Sequence, residues 1–327
     1  MSSRTLPRWR VELTAWSAGS VLALGVAVLG LGVVSPVDTR ETRPVPMPVA
    51  QVRERTVRVP VIPAPRPPAA VAIAPSMRQV LGPAPGPQAD AVPARTAAPA
   101  DRYAFLFGVT HYRAPTHDTI GAVNDVRLIA RLLVEQGWLV RNIRVVVDED
   151  ATGAALRDGM AWLAARSEAG RTFSLLHYSG HVRQLGGLHA ALWPVDGDFV
   201  PDSAVAAALG QIRGKAWIDV AGCEAGAFLP GLATNDILVS ASSTAAQKSY
   251  EYPPWTLSVW TGLVFNLGIE AGEADADRDG RVTIGEALRF GSYYAQAITF
   301  NQQPHGRQTP QAAGDPVRGW TLATPPA

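Results

Sequence analysis

From Tyr103 onward, short unbroken apolar runs alternate with stretches of helical spacing, and few folds accommodate that order. Tyr103–Val109, Val140–Val147, Thr172–His181, the short apolar run Ala216–Ile218 leading into Cys223, and Asp236–Ala241 read as buried strands, because their apolar residues run consecutively rather than at alternate positions. Between them, Ile120–Gln136 places Val123, Val126, Leu128, Ile129, Leu132 and Leu133 on one broad helical face, and Gly137 ends it. Thr152 is a helix cap ahead of Ala154–Ala165. Further helices are predicted from Pro201 to Leu209 and from Trp255 to Leu267. Strands alternating with helices predict an α/β domain with a mostly parallel sheet covered on both faces.

Two of these strands end in reactive side chains. Trp217–Gly226 reads W-I-D-V-A-G-C-E-A-G and holds Cys223, the single cysteine of 327 residues. Thr172–His181 reads T-F-S-L-L-H-Y-S-G-H. In open α/β sheets, ligands bind beyond the carboxyl ends of the strands. The 42 positions between His181 and Cys223 leave room for one crossover between parallel strands. An imidazole in reach of a thiol takes its proton and makes it a nucleophile. The competing reading is a buried structural thiol and a packed histidine. A zinc site built from His177, His181 and Cys223 is a third reading, although strand spacing of two histidines is not the usual metal-ligand arrangement.

The chain resembles the caspase-like cysteine peptidases of the metacaspase and orthocaspase type. H-Y-S-G-H at 177–181 and D-x-x-x-C-x-A-G at 219–226 carry the resemblance. Tyr103–Tyr112, Gly121–Asp125, Leu192–Asp196 and Arg307–Gln311 extend it over nearly all of 101–320. It implies a caspase-like three-layer sandwich and a cysteine endopeptidase with a His181/Cys223 dyad. It further implies that the backbone amides of Cys223 and Val182 hold the oxyanion, Val182 standing where the family usually has glycine. Asp125 and Ser179 match the acidic pocket that selects arginine or lysine before the scissile bond. The family's aspartate two residues before the cysteine is replaced by Ala221, and Asp219 is the candidate substitute. These departures motivate an alternative, a catalytically weak or inactive module that binds peptides or partner proteins. His177 reads as structural, sharing a strand face with His181 at even spacing.

Asp275–Glu286, D-A-D-R-D-G-R-V-T-I-G-E, fits an EF-hand loop. Asp275, Asp277 and Asp279 occupy the first three ligand positions, Gly280 the sharp turn, Arg281 the carbonyl position, Thr283 the ninth position and Glu286 the bidentate close. Hard oxygen ligands at this spacing predict Ca2+ in a structural or modulatory role, and no organic cofactor is expected. An acidic loop that folds without an ion is the rival reading.

The amino-terminal third is of another kind. After a basic tail at 1–12, Leu13–Val34 is uncharged over 22 residues, long enough for a transmembrane helix. An uncleaved signal anchor is predicted; a cleaved signal peptide is the rival, but no clear A-x-A site follows. Residues 35–100 hold 15 of the 27 prolines and cannot form a packed core, which predicts a disordered linker. The peptidase domain, 101–327, is then expected to face away from the cytoplasm as part of a single-pass membrane protein, although Arg40, Arg43, Arg53 and Arg55 oppose that orientation. A net charge of +1 gives no sign of a nucleic-acid partner; the peptidase resemblance implies a protein or peptide substrate.

Overall fold

The computed structural model describes residues 101–302, 306–314 and 317–323, together with Thr14–Ala15. The transmembrane span and the proline-rich linker expected at 13–100 lie outside the described residues, those two apart. Among the described residues, no helix is long and apolar enough to cross a membrane.

A six-stranded sheet forms the middle layer. In chain order its strands are β1 (Asp101–Gly108), β2 (Ile143–Val147), β3 (Thr172–Ser179), β7 (Lys215–Ala221), β8 (Ile237–Ala241) and β11 (Gln311–Ala313). Their spatial order is β11-β8-β7-β3-β1-β2, and every neighbouring pair is parallel except β11 against β8. Strands β4 (Val182–Gly186), β5 (His189–Leu192) and β6 (Val200–Pro201) form a small antiparallel sheet, and β9 (Tyr250–Tyr252) pairs with β10 (Leu257–Ser258). The helices are α1 (Ala122–Glu135), α2 (Gly153–Arg166), α3 (Asp202–Leu209), the short α4 (Leu229–Leu232), α5 (Val259–Thr261, continuing as the π-helix Gly262–Glu270) and α6 (Ile284–Ile298).

The unbroken apolar runs have a simple cause: both sheet faces are covered. Leu106, Leu175, Trp217 and Leu238 pack against α1, α5 and α6. Their strand neighbours Phe105, Phe107, Leu176, Ile218 and Val239 pack on the other face against α2 and α3. All eight residues of β3 are buried, as a central strand requires. Helix α2 lies so close that a side chain at Gly159 would meet the Phe105 ring at 2.0 Å. Helix α1 stops at Gly137, whose φ of 87° takes the chain out in the left-handed region.

The helix expected over Trp255–Leu267 starts later, at Val259. Thr256 has a φ of 53°, Leu257–Ser258 pairs as a strand, and the Ser258 side chain caps the Thr261 amide. The strand expected over Val140–Val147 begins at Ile143, after a 3-10 turn at Val140–Asn142.

Candidate active site

Strands β3 and β7 run in parallel register, with Ser179 opposite Ala221, and the Gly180 amide donates to the Ala221 carbonyl at 3.2 Å. His181 and Cys223 each follow two residues later, so both stand at the carboxyl rim of the sheet.

The turn holding Cys223 is built from backbone and serine hydroxyls. Gly222 N donates to Ser242 Oγ at 2.9 Å, while Ser242 Oγ and Ser243 Oγ reach the Gly222 carbonyl at 2.9 and 3.0 Å. Glu224 N donates to the Gln247 carbonyl at 2.8 Å, and Ala225 N to Ser243 Oγ at 3.2 Å. Glu224 has a φ of 50°, which bends the chain sharply just after the sulfur. The Glu224 side chain is turned inward and meets Lys248 Nζ at 2.7 Å.

His181 is held more tightly than its sequence context suggests. Its amide donates to Tyr112 Oη at 2.8 Å, and its carbonyl accepts from Tyr178 Oη and from Trp193 N. Its ring lies 4.5 Å from that of Tyr112 and 5.8 Å from that of Trp193. His181 Nε2 is 2.7 Å from the His117 carbonyl oxygen. A carbonyl only accepts, so Nε2 carries the hydrogen and the lone pair of the neutral ring sits on Nδ1. At Nε2 a main-chain oxygen orients this imidazole, and that contact has no signature in the sequence.

Both reactive groups are almost fully buried, Cys223 at 2 % and His181 at 4 % exposure. Burial pushes the thiol far up, Glu224 adds to the rise, and the Ser249 amide and Lys248 oppose it. Burial likewise lowers the imidazole, against the contribution of the His117 carbonyl. The resting pair is therefore thiol and neutral imidazole rather than thiolate and imidazolium.

The remaining candidates fall into two groups behind this rim. Asp125 is buried and joins Ser179, whose Oγ donates to Asp125 Oδ2 at 2.7 Å; Asp125 Oδ1 accepts the Ser258 amide at 3.0 Å. Burial raises the Asp125 carboxyl, opposed chiefly by His177 and then by these hydrogen bonds. Asp219 lies within β7 itself and is fully buried. Its carboxylate meets His177 Nδ1 at 2.8 Å, Trp260 Nε1 at 2.8 Å and Ser240 Oγ. Asp219 thus stands a layer below the rim.

The expectation that His177 and His181 share one strand face does not hold. His177 faces α5, with its ring 5.7 Å from that of Phe265, whereas His181 packs with Tyr112 and Trp193 on the other side. The strand ends at Ser179, so two-residue alternation no longer operates at His181. The same separation removes the geometry that a zinc site of His177, His181 and Cys223 would need. Val182 is buried, opens β4 opposite Leu192, and is not among the residues of positive φ. A β-branched residue suits that extended backbone, so nothing in the local conformation calls for glycine.

The 275–286 loop is separate from the rim. One ligand atom each from Asp275, Asp277 and Glu286 lies within 4.8 Å of the others. Asp275 also accepts from the Asp279 and Gly280 amides, and Asp279 Oδ1 accepts the Arg281 amide at 3.0 Å. Gly280 has a φ of 81°. Thr283 caps α6 in a reciprocal box with Glu286, whose Oε1 accepts the Ala276 amide at 3.2 Å. Carboxylate oxygens turned inward by backbone amides are a donor set that fits a hard divalent cation.

No curated protein matches the chain. Among solved structures, protein GSU0716 from Geobacter sulfurreducens is similar at 16 % identity and a TM-score of 0.48, over 66 % of this chain and 94 % of that one. Residues 101–256, which span β1 to β9 and include both rim residues, match the model of the caspase domain.

Proposed function

We propose that the chain is a membrane-anchored, caspase-like cysteine endopeptidase in which Cys223 is the nucleophile and His181 the general base. The observation that carries this reading is the His181 Nε2 contact to the His117 carbonyl, at the strand rim that also bears Cys223. With Nε2–H engaged, His181 Nδ1 takes the proton from Cys223 Sγ as the sulfur attacks the peptide carbonyl. The Val182 and Cys223 amides receive the negative oxygen. The imidazolium then returns its proton to the leaving amine. A water, deprotonated by the same nitrogen, hydrolyses the thioester and frees the sulfur.

A preference for arginine or lysine before the scissile bond rests on Asp125 and Ser179, with Asp219 acting behind them through His177. The buried Asp125 carboxyl is raised, so this preference strengthens as pH rises and the group ionises. The span at 13–34 supplies the membrane anchor of this reading, with the peptidase domain outside the cytoplasm. The 275–286 loop binds Ca2+ through Asp275, Asp277, Asp279, Glu286 and the Arg281 carbonyl, clipping α5 to α6; the clustered carboxylates support this.

The alternative, a module that binds peptides without cutting them, is favoured by one observation: the thiol and the imidazole are both buried and neutral. Fluorogenic peptides with arginine, lysine or aspartate before the bond separate the two. Turnover by the wild type and none by Cys223→Ala supports the peptidase. Binding of these peptides by folded protein without turnover supports the module.

A further inference from the structure

The turn that carries Cys223 also carries an ion pair that the dyad chemistry leaves unused. Glu224, the next residue, is 5 % exposed, and a carboxylate so placed needs a partner. Lys248 supplies it, with Nζ 2.7 Å from Glu224 Oε1 and about a quarter of the lysine side chain exposed. The segment that brings Lys248 continues with Ser249, whose amide donates to the Cys223 sulfur. One short stretch thus delivers both a peptide N–H and an ammonium group to the nucleophile's side of the turn. Lys248 interacts electrostatically with His181 as well as with Cys223. Besides His181, Tyr250 and Glu251 also act electrostatically with the sulfur. Glu251 is committed elsewhere, its carboxylate accepting the Ile120 and Gly121 amides at the start of α1.

We propose that Lys248 and Glu224 act as opposed positioning charges that set how readily Cys223 ionises, the ammonium group stabilising the thiolate and the carboxylate holding it in check. This rests on Cys223 being the nucleophile, as above. When the S–H bond breaks and the proton passes to His181 Nδ1, the negative charge formed on Sγ lies within the field of Lys248. Lysine suits the role: its compact ammonium can be shared between a carboxylate and a sulfur without the fixed fork geometry of arginine. Glu224 keeps that charge compensated while the thiol is protonated, so the buried rim carries no net excess of charge at rest.

The single cysteine makes the test direct, because every alkylated molecule reports Cys223. The rate of alkylation by iodoacetamide is followed by mass spectrometry across a pH series, for the full chain and its variants. Burial raises the thiol far above its ordinary range, so over about pH 6–10 the rate is proportional to the thiolate fraction, and a tenfold change in rate reads as a midpoint shift of about one pH unit. Lys248→Met is expected to move the midpoint up by about one pH unit, slowing alkylation about tenfold below it. Glu224→Gln is expected to move it down by a similar amount, and Lys248→Arg to leave it near the wild type. The double variant Lys248→Met/Glu224→Gln should fall between the two singles. Midpoints that do not move, or that move in the same direction in both single variants, overturn the proposal and leave the pair a packing feature. Peptide turnover is scored separately: opposed midpoint shifts without turnover sustain the charge pair and sink the peptidase reading.

Discussion

The sheet rim and the 275–286 loop both concentrate ionisable groups, and they treat them in opposite ways. At the rim, Cys223 and His181 are sealed, and burial drives each toward its neutral form. In the loop, Asp277 and Asp279 stay exposed, while Asp275 and Asp279 are fixed by backbone amides. Desolvation costs a charged group several kcal/mol, so a site that must hold charge permanently stays wet and backbone-braced. A site that needs charge only during a reaction can stay dry and generate it on demand. The contrast is between an exposed, backbone-braced acidic loop and a charge-suppressed thiol.

The contrast is tested most strongly at His181. His181→Ala is expected to lower peptide turnover by about 10²–10⁴-fold, measured with fluorogenic substrates, because no other base is oriented by the His117 carbonyl. In the wild type, the lowered imidazole stays neutral below the ordinary histidine range, so the acid limb of the pH profile should lie under about pH 6.5. The raised thiol should push the alkaline limb above about pH 8.5. A profile centred on the ordinary values would mean that the rim is wetter than its burial indicates.

Next in size is the layer beneath the rim. Asp219→Ala removes one partner of a fully buried pair and leaves His177, Trp260 and Ser240 without their acceptor. The expected cost is about 3–5 kcal/mol, read by urea unfolding. Little or no loss would show that the pair does not brace the sheet.

Under the proposed Ca2+ reading, the loop gives a smaller effect. Calcium at about a hundred times its Kd is expected to stabilise the domain by about 2.7 kcal/mol, seen as a rise in Tm that chelator reverses. Asp277→Asn combined with Glu286→Gln should abolish that rise. A rise that survives both substitutions would place the ion elsewhere. Smallest is Val182→Gly, expected to change turnover by less than about threefold, because Val182 already has ordinary extended geometry.

Much of this is legible in the sequence. The strands are readable because a sheet covered on both faces needs largely apolar strands, as in Thr172–His181 and the run Ala216–Ile218 that leads into Cys223. His181 and Cys223 were readable because they interrupt those runs at matched places. Asp125 and Ser179, 54 positions apart, were paired through resemblance alone, and they share a hydrogen bond. The hairpins β4–β5 and β9–β10 were not readable, since strands of two to five residues have too few positions for a period to show. The His117 carbonyl was hidden for a deeper reason: every residue has a carbonyl, and only the folded loop aims this one at Nε2. Lys248 and Glu224 meet across β8, a closure that no local pattern encodes. Of the two places the sequence leaves open to Asp219, the pocket and the strand, it occupies the strand, where register faces it toward α5.

The central claim is that Cys223 attacks through a proton taken by His181, and covalent capture by a peptide bearing an electrophilic carbonyl tests it most directly. Mass spectrometry of the intact chain should show one adduct on Cys223 in the wild type, a far slower one in His181→Ala, and none in Cys223→Ala. Capture that is equally fast with and without His181, or an adduct on any residue but Cys223, would contradict it.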